Sequence, residues 1–324
     1  MTIKHLVIPG GGPVGIQALG AIQYLEQNQY IQLENIESIY ATSIGAIVGV
    51  LVALKYDWQA INDYIVKRPW QDVFQINVTQ IFDIFSKKGL FDKNSIEVFF
   101  KPFFNSRDIP MEITMEHFYE KYPVELHIFS LETNKFEVVD CSYKTHPELS
   151  LITALQMSCA IPIIFAPVCV EDKCYVDGGV VCNDPLNYCI ARAENVEEIF
   201  ALCNYYGENT EDSIVTEDSS LIDFLINIIS KMVNNVSKDF YPKQIPNQLN
   251  YQTDNMSLTF LQTCLSSSSV RQELLLKGID SAKQYLEKKN EIIKITRRDE
   301  YNNDEEVDTE LDTEVQEEVY EKNY

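Results

Sequence analysis

Basic residues are scarce in this chain, with 26 Lys and Arg against 49 Asp and Glu over 324 residues, a formal net charge of -23. Phosphate binding relies on neutralisation by Lys and Arg, so nucleic acid is excluded as a partner. Electrostatic adsorption to an anionic membrane is disfavoured for the same reason. Histidine is scarcer still: His5, His117, His127 and His146 are the full set, each in an ordinary strand or helix pattern. The eight cysteines form no CxxC pair and no neighbouring histidine completes a zinc pattern, so reduced, mostly buried thiols and no metal are expected. Long apolar runs are also missing. The most apolar stretch, Ile44 to Leu54, is far shorter than the ~20 residues that span a bilayer. The opening MTIKHLVIPGGG lacks the pattern of a secretory signal. A soluble, cytoplasmic protein is expected, with export or packaging in a virion left open.

What is present is a chain that is 45% apolar, enough for a sizeable core near the upper limit for a single one. Lys4 to Pro9 reads as a buried strand, followed by a helix over Gly15 to Gln27 with Ile16, Leu19, Ile22 and Leu25 at helical spacing. Ile36 to Thr42 and Ile44 to Leu54 repeat the pattern, the second helix nearly all apolar. Such alternation predicts a mainly parallel sheet covered on both faces. Trp58 to Phe104 reads as an aromatic-rich helical stretch, with Trp70, Phe74, Phe82, Phe85, Phe91, Phe99 and Phe100 assigned first to core packing. Strands are expected over Glu125 to Leu131, Phe136 to Cys141, Cys174 to Val176 and Glu198 to Cys203, with a helix over Leu151 to Cys159. Beyond a loop at Gly207 to Ser220, helices over Leu221 to Val236 and Ser269 to Lys289 are joined by a polar segment, Tyr241 to Asn255. From Asp299 onward twelve Asp and Glu stand against one Lys; mutually repelling carboxylates with few large apolar residues predict disorder, the alternative being an arm for an unknown partner.

Three short motifs carry chemistry. Gly10-Gly11-Gly12 lies between a strand and a helix, where backbone N–H groups converge and negative charge is favoured. That suits an oxyanion, and removing one such donor costs about 2.7–4 kcal/mol of transition-state stabilisation. Gly10, Gly12 and Gly15 also satisfy the dinucleotide pattern G-x-G-x-x-G, but the second strand ends in Ala41-Thr42-Ser43 without the carboxylate that fold needs. Ser43 sits at a strand-to-helix turn between small residues, Ala41 and Gly45. That is the setting of a nucleophile elbow, the plainer alternative being a helix N-cap. Asp177-Gly178-Gly179 follows a short strand and by itself reads as a turn. All four histidines precede Asp177, so the Ser…Asp…His order of α/β-hydrolases cannot use it as the acid.

Taken in order, and with Ser158, Pro162, Phe165 and Pro167 matching S-x-x-x-P-x-x-F-x-P, these pieces resemble the patatin-like phospholipases, serine acyl hydrolases with a Ser/Asp dyad and no histidine. Gly89-Leu90-Phe91-Asp92 is similar to a family helix start, and the resemblance covers roughly Leu6 to Pro185. It implies Ser43 as nucleophile, Asp177 as the base that takes its proton, and Gly10, Gly11 and Gly12 as the oxyanion hole, with Gly15, Ala41, Gly45, Gly178 and Gly179 as supporting small residues. It implies no cofactor, and a lipid or phospholipid substrate met transiently at a membrane or micelle surface. A carboxylate near pKa 3.9 is a feeble base, so Asp177 is expected to be buried. The expected fold is α/β, a three-layer α/β/α arrangement with a mainly parallel central sheet. The expected division is a hydrolase domain at 4–206, a helical C-terminal extension at 207–290 and a disordered acidic tail at 291–324. The implied activity is that of a phospholipase A or lysophospholipase. Val14 stands where the family's glycine loop carries Arg or Lys, and Ala41 where it carries glycine. These departures and the tail motivate the alternative of an interaction protein with little chemistry.

Overall fold

Two strand–helix repeats open the chain, as the apolar periodicity predicts. β1 (His5–Ile8) leads through the glycine turn to α1 (Gly15–Gln27), and β2 (Ser38–Thr42) leads to α2 (Ile44–Leu54). The computed structural model describes residues 2–75, 86–206, 215–239, 244–253, 257–292 and 294. They belong to two compact units, 1–281 and 282–324; in the second, residues 282–292 are helical.

In the first unit the chain continues through α3 (Trp58–Lys67), β3 (Gly89–Phe91), α4 (Lys93–Asn105) and α5 (Met115–Lys121). β4 (Glu125–Glu132), β5 (Glu137–Cys141), α6 (Leu151–Cys159) and β6 (Ile163–Phe165) follow. Then come β7 (Val168–Val170), β8 (Lys173–Asp177), α7 (Leu186–Ile190) and β9 (Ile199–Tyr206). The last elements of this unit are α8 (Leu221–Asp239), β10 (Gln248–Thr253), α9 (Leu258–Ser266) and α10, helical at 268–281.

The main sheet runs β10-β9-β1-β2-β4-β8-β7, with β5 also on β4. It is parallel from β10 to β4 and antiparallel where β5, β8 and β7 join. Alternation along β2 shows how both faces are covered. Ile39 and Ala41 lie under Gly49 of α2, while Tyr40 points the other way into a cluster with Val7, Phe129, Ile199 and, from α7, Leu186 and Cys189. Helices therefore sandwich the sheet, the expected three layers. α2 is apolar on every side and buried except at Ile44 and Ile47, as an all-hydrophobic helix requires.

Several expectations change. Trp58 to Phe104 is not one helical stretch: α3 stops at Arg68-Pro69, where the ring disfavours helical backbone at Arg68, and β3 intervenes before α4. Phe82 and Phe85 lie outside the described residues. The polar segment read as a connection between helices contains β10, paired in parallel with β9, and α9 follows it. β10 alternates buried Leu249, Tyr251 and Thr253 with exposed polar residues, a pattern that needs its neighbour to be read as a strand. The thiols are not all reduced, since Cys169 and Cys174, directly opposite in the β7–β8 hairpin, form a disulfide. Residues 207–214 of the expected loop, and the acidic tail from 295, lie outside the described residues. Among the described residues no helix is long and apolar enough to cross a membrane.

Candidate active site

The register of β4 brings two distant segments together. Thr42, the last residue of β2, pairs with Phe129, and Asp177, the last of β8, pairs with Ser130, the next position along β4. β5 pairs with β4 at both positions, so β2 and β8 share the opposite edge. β2 runs parallel to β4 and β8 antiparallel, so their C-terminal ends meet head-on. Ser43 and Asp177 stand at that junction.

Ser43 occupies φ 56° and ψ -131°, a strained conformation for a residue with a Cβ. Its hydroxyl makes no helix-capping bond, which removes the N-cap alternative. The turn is held from both sides. The Ser43 N–H donates to Ser158 Oγ (2.8 Å), and Ser158 Oγ donates to the Phe129 carbonyl (2.6 Å). A Cβ on Gly45 would lie 2.4 Å from the Ile8 carbonyl oxygen, so glycine is what lets α2 press against the end of β1.

Asp177 is 3% exposed. Its Oδ1 accepts the Gly179 N–H (2.7 Å), the turn bond anticipated for an Asp-Gly pair, while Oδ2 is buried with no hydrogen-bond partner among the described residues. One oxygen fixes the carboxyl and the other is left for chemistry. Burial pushes the Asp177 pKa up to about 7, outweighing the Ser43 hydroxyl and Gly179 N–H, which both favour the charged form. Cys159 is buried beside the pair; burial and the Asp177 charge push its thiol well up, so it stays protonated.

The glycine loop departs from expectation at one residue. Gly10 donates its N–H to the Asn183 carbonyl (3.2 Å), and its own carbonyl accepts from Asn204 Nδ2 (2.6 Å). Asn183 Nδ2 in turn donates to Asn204 Oδ1 (3.3 Å). Gly10 is thus a fixed point rather than an oxyanion donor. Its role is room: a Cβ there would lie 3.0 Å from Ser43 Cβ and 2.6 Å from Asn183 Oδ1. Gly11 and Gly12, at φ 149° and 58°, make no N–H hydrogen bond among the described residues and sit where a short 3₁₀ turn leads into α1. Asn183 and Asn204 are supporting residues that motif reading did not assign, while Ser158, quoted there within S-x-x-x-P-x-x-F-x-P, takes the specific part of bridging the Ser43 turn to β4.

Two cavities meet at Ser43, sharing Gly12, Ser43 and Ile161. The smaller, about 60 Å³, is bounded by Gly11, Asp177, Gly179 and Asn183, with Ile226, Ile229 and Val233 of α8 opposite. The larger, about 190 Å³, runs along α2 and is walled by Trp70, Phe74, Phe91, Phe99 and Phe165. The aromatic stretch thus divides its work: Phe100 and Phe104 are fully buried core, while those others face a cavity. No histidine lines either cavity among the described residues. Gly15 lines the larger one against Ile44, and Gly178 packs on the Phe129 carbonyl.

Comparison with known proteins identifies a family and several relatives. The profile of the patatin-like phospholipase family matches residues 6–190. A probable lipid hydrolase, 463L, of Invertebrate iridescent virus 6 is 28% identical over 189 residues, covering 58% of this chain and 63% of that protein. The uncharacterized protein YqhO of Bacillus subtilis is 24% identical over 195 residues, covering 56% of this chain and 64% of YqhO. The chain thus spans somewhat less than two thirds of the length of these relatives. Among solved structures, VipD from Legionella pneumophila aligns with a TM-score of 0.48 at 17% identity, covering 89% of this chain and 67% of VipD. With the profile matched over more than half of its length, from the glycine loop past Asp177, the chain belongs to the patatin-like phospholipase family.

Proposed function

We propose that the chain is a lipid acyl hydrolase of the phospholipase A or lysophospholipase type, in which Ser43 and Asp177 form the catalytic dyad. The observation that carries this reading is the unpartnered, buried Oδ2 of Asp177 at the same strand junction as the uncapped Ser43 hydroxyl. Ser43 Oγ attacks the ester carbonyl carbon as its proton passes to Asp177. The carbonyl oxygen, now anionic, is met by the N–H groups of Gly11 and Gly12. Collapse of the tetrahedral intermediate breaks the bond to the alcohol, which leaves with the proton from Asp177. Water then attacks the acyl-serine, giving its proton to Asp177, and the second collapse returns that proton to Ser43 and frees the fatty acid. A carboxyl near 7 suits both directions of transfer far better than one near 4.

The larger cavity suits the acyl chain because its lining is almost wholly apolar. Contact with a membrane or micelle surface is supported by α8, whose Leu221, Phe224, Ile228 and Met232 form an exposed stripe while Ile226, Ile229 and Val233 face the smaller cavity. Ser43→Ala and Asp177→Asn are each expected to lower hydrolysis of a lysophospholipid by roughly 10³-fold or more, because removing one member of a unit disables the whole. Substantial activity in either folded variant would contradict the dyad.

A further inference from the structure

One wall of the larger cavity comes from residues beyond the family-matched stretch. Leu261, Cys264 and Leu265 of α9 and Arg271 of α10 line it, whereas the profile match ends at residue 190. Arg271 is 4% exposed. Its Nε donates to the carbonyls of Ile65 (3.0 Å) and Val66 (3.2 Å), Nη2 to those of Val66 (2.7 Å) and Arg68 (2.9 Å), and Nη1 to those of Cys264 (2.6 Å) and Leu265 (3.0 Å). These are the last carbonyls of α3 and α9, which have no partner within their own helices. They also carry the negative ends of both helix dipoles, so a single guanidinium caps two helices at once. A planar fork of five donors can span both ends; a lysine ammonium, a point donor, cannot. Arg271 therefore fixes the spacing between α3, whose Ile65 also lines the cavity, and the α9 wall.

The cavity has a readable length. It follows α2 from Ser43 through Ile44, Ile47 and Val48 to Leu51, which at 1.5 Å per residue is about 12 Å. An extended chain advances roughly 1.2 Å per bond, from about 3.5 Å per three-bond residue, so the run holds about ten carbons. The volume of about 190 Å³ gives a somewhat smaller figure, about eight carbons, on the measure by which an apolar cavity of ~150 Å³ takes the six carbons of benzene. We propose that the α9 wall, held by Arg271, sets acyl-chain length, admitting medium chains of about ten carbons and excluding longer ones. Arg271 is in this sense a positioning residue, and the inference rests on the acyl-hydrolase reading.

Two readouts separate the inference from that reading: hydrolysis of p-nitrophenyl esters from butyrate to palmitate, and binding of the matching fatty acids to Ser43→Ala protein by thermal shift. Both are expected to peak near decanoate and to fall about tenfold or more at palmitate, the scale of discrimination that a full apolar pocket gives. Arg271→Lys is expected to raise the palmitate-to-decanoate ratio about tenfold, and Cys264→Phe, which fills the wall, to lower the decanoate-to-butyrate ratio by a similar factor. If Arg271→Lys fails to fold, Cys264→Phe and Leu261→Phe carry the test. Palmitate accepted as well as decanoate, or variant rates that fall in the same proportion for every ester, would overturn the proposal. Fatty-acid binding with a length limit but no hydrolysis would overturn the hydrolase reading and leave the length rule standing; hydrolysis without a limit would do the reverse.

Discussion

Ser43 keeps a backbone conformation that costs of order 1–3 kcal/mol, and the carboxyl it meets is one that burial holds near 7. Both weaken the fold at the proposed dyad. For Asp177 the sign is definite. The carboxyl ionises near 3.8 in the unfolded chain and near 7 in the folded one, so between those values the native state binds the proton more tightly. Stability is full below the lower value and falls as pH rises to the upper one, by roughly 4 kcal/mol for about three units at ~1.4 kcal/mol each. Asp177→Asn removes this penalty. The variant is expected to melt at higher temperature than the unaltered protein at about pH 8 and to differ little at about pH 4. Equal melting temperatures at the higher pH would contradict a buried, ionised Asp177. Activity runs the opposite way: the base must be ionised, so kcat/KM is expected to rise with pH on an apparent pKa near 7, and a flat profile between about pH 5 and pH 9 would count against it.

At the scale of elements, the site is a junction of strand ends rather than a feature of one loop. Ser158 on α6 ties that junction together, since it accepts from Ser43 and donates to Phe129. Ser158→Ala leaves a buried N–H and a buried carbonyl unpaired, at about 1–3 kcal/mol. The urea midpoint is expected to fall and kcat to fall with KM little changed; unchanged values of both would show that the bridge is idle. Much of this frame is legible in the sequence. The spans of α1, α2 and α6 follow from apolar spacing punctuated by glycine, serine and proline, all local signals. Of the proposed pair, Ser43 is picked out by its strand-to-helix turn and Asp177 only by the family resemblance, since its own turn reads as structural. What is not legible depends on contacts across the chain. Gly10 looks like an oxyanion donor until the Asn183 carbonyl takes its N–H. β10, half polar, is a strand because β9 offers it an edge. Arg271 reads as one more charge on a helix until two helix ends converge on it.

Over the whole molecule, several charges favour mildly acidic conditions. His127, 2% exposed and stacked on Tyr40 with ring centroids 4.2 Å apart, lies between Asp140 (2.9 Å) and Glu125 (3.2 Å). Burial opposes its charge, but hydrogen bonds to Asp140 and Glu125 prevail and raise its pKa. Its contribution is therefore full below about 6.5 and lost as pH rises through the folded value. Glu125 is held down to about 2 against burial by His127 and Lys144, so its contribution is present above 4.5 and lost toward 2. Asp177 and the self-repulsion of a chain carrying -23 both ease as pH falls. The melting temperature is expected to be higher at about pH 5.5 than at about pH 8; a rise across that interval would show that other groups dominate. Truncation after Tyr206 removes β10 and bares the β9 edge, so the shortened chain is expected to aggregate, and a monomeric, cooperatively melting product would contradict the sheet order. The most direct test of the Ser43–Asp177 dyad is to label the purified protein with a fluorophosphonate probe and map the modified peptide. Modification at Ser43, lost in Asp177→Asn, is the result expected; a folded protein that takes no label, or takes it at another serine, would contradict the dyad.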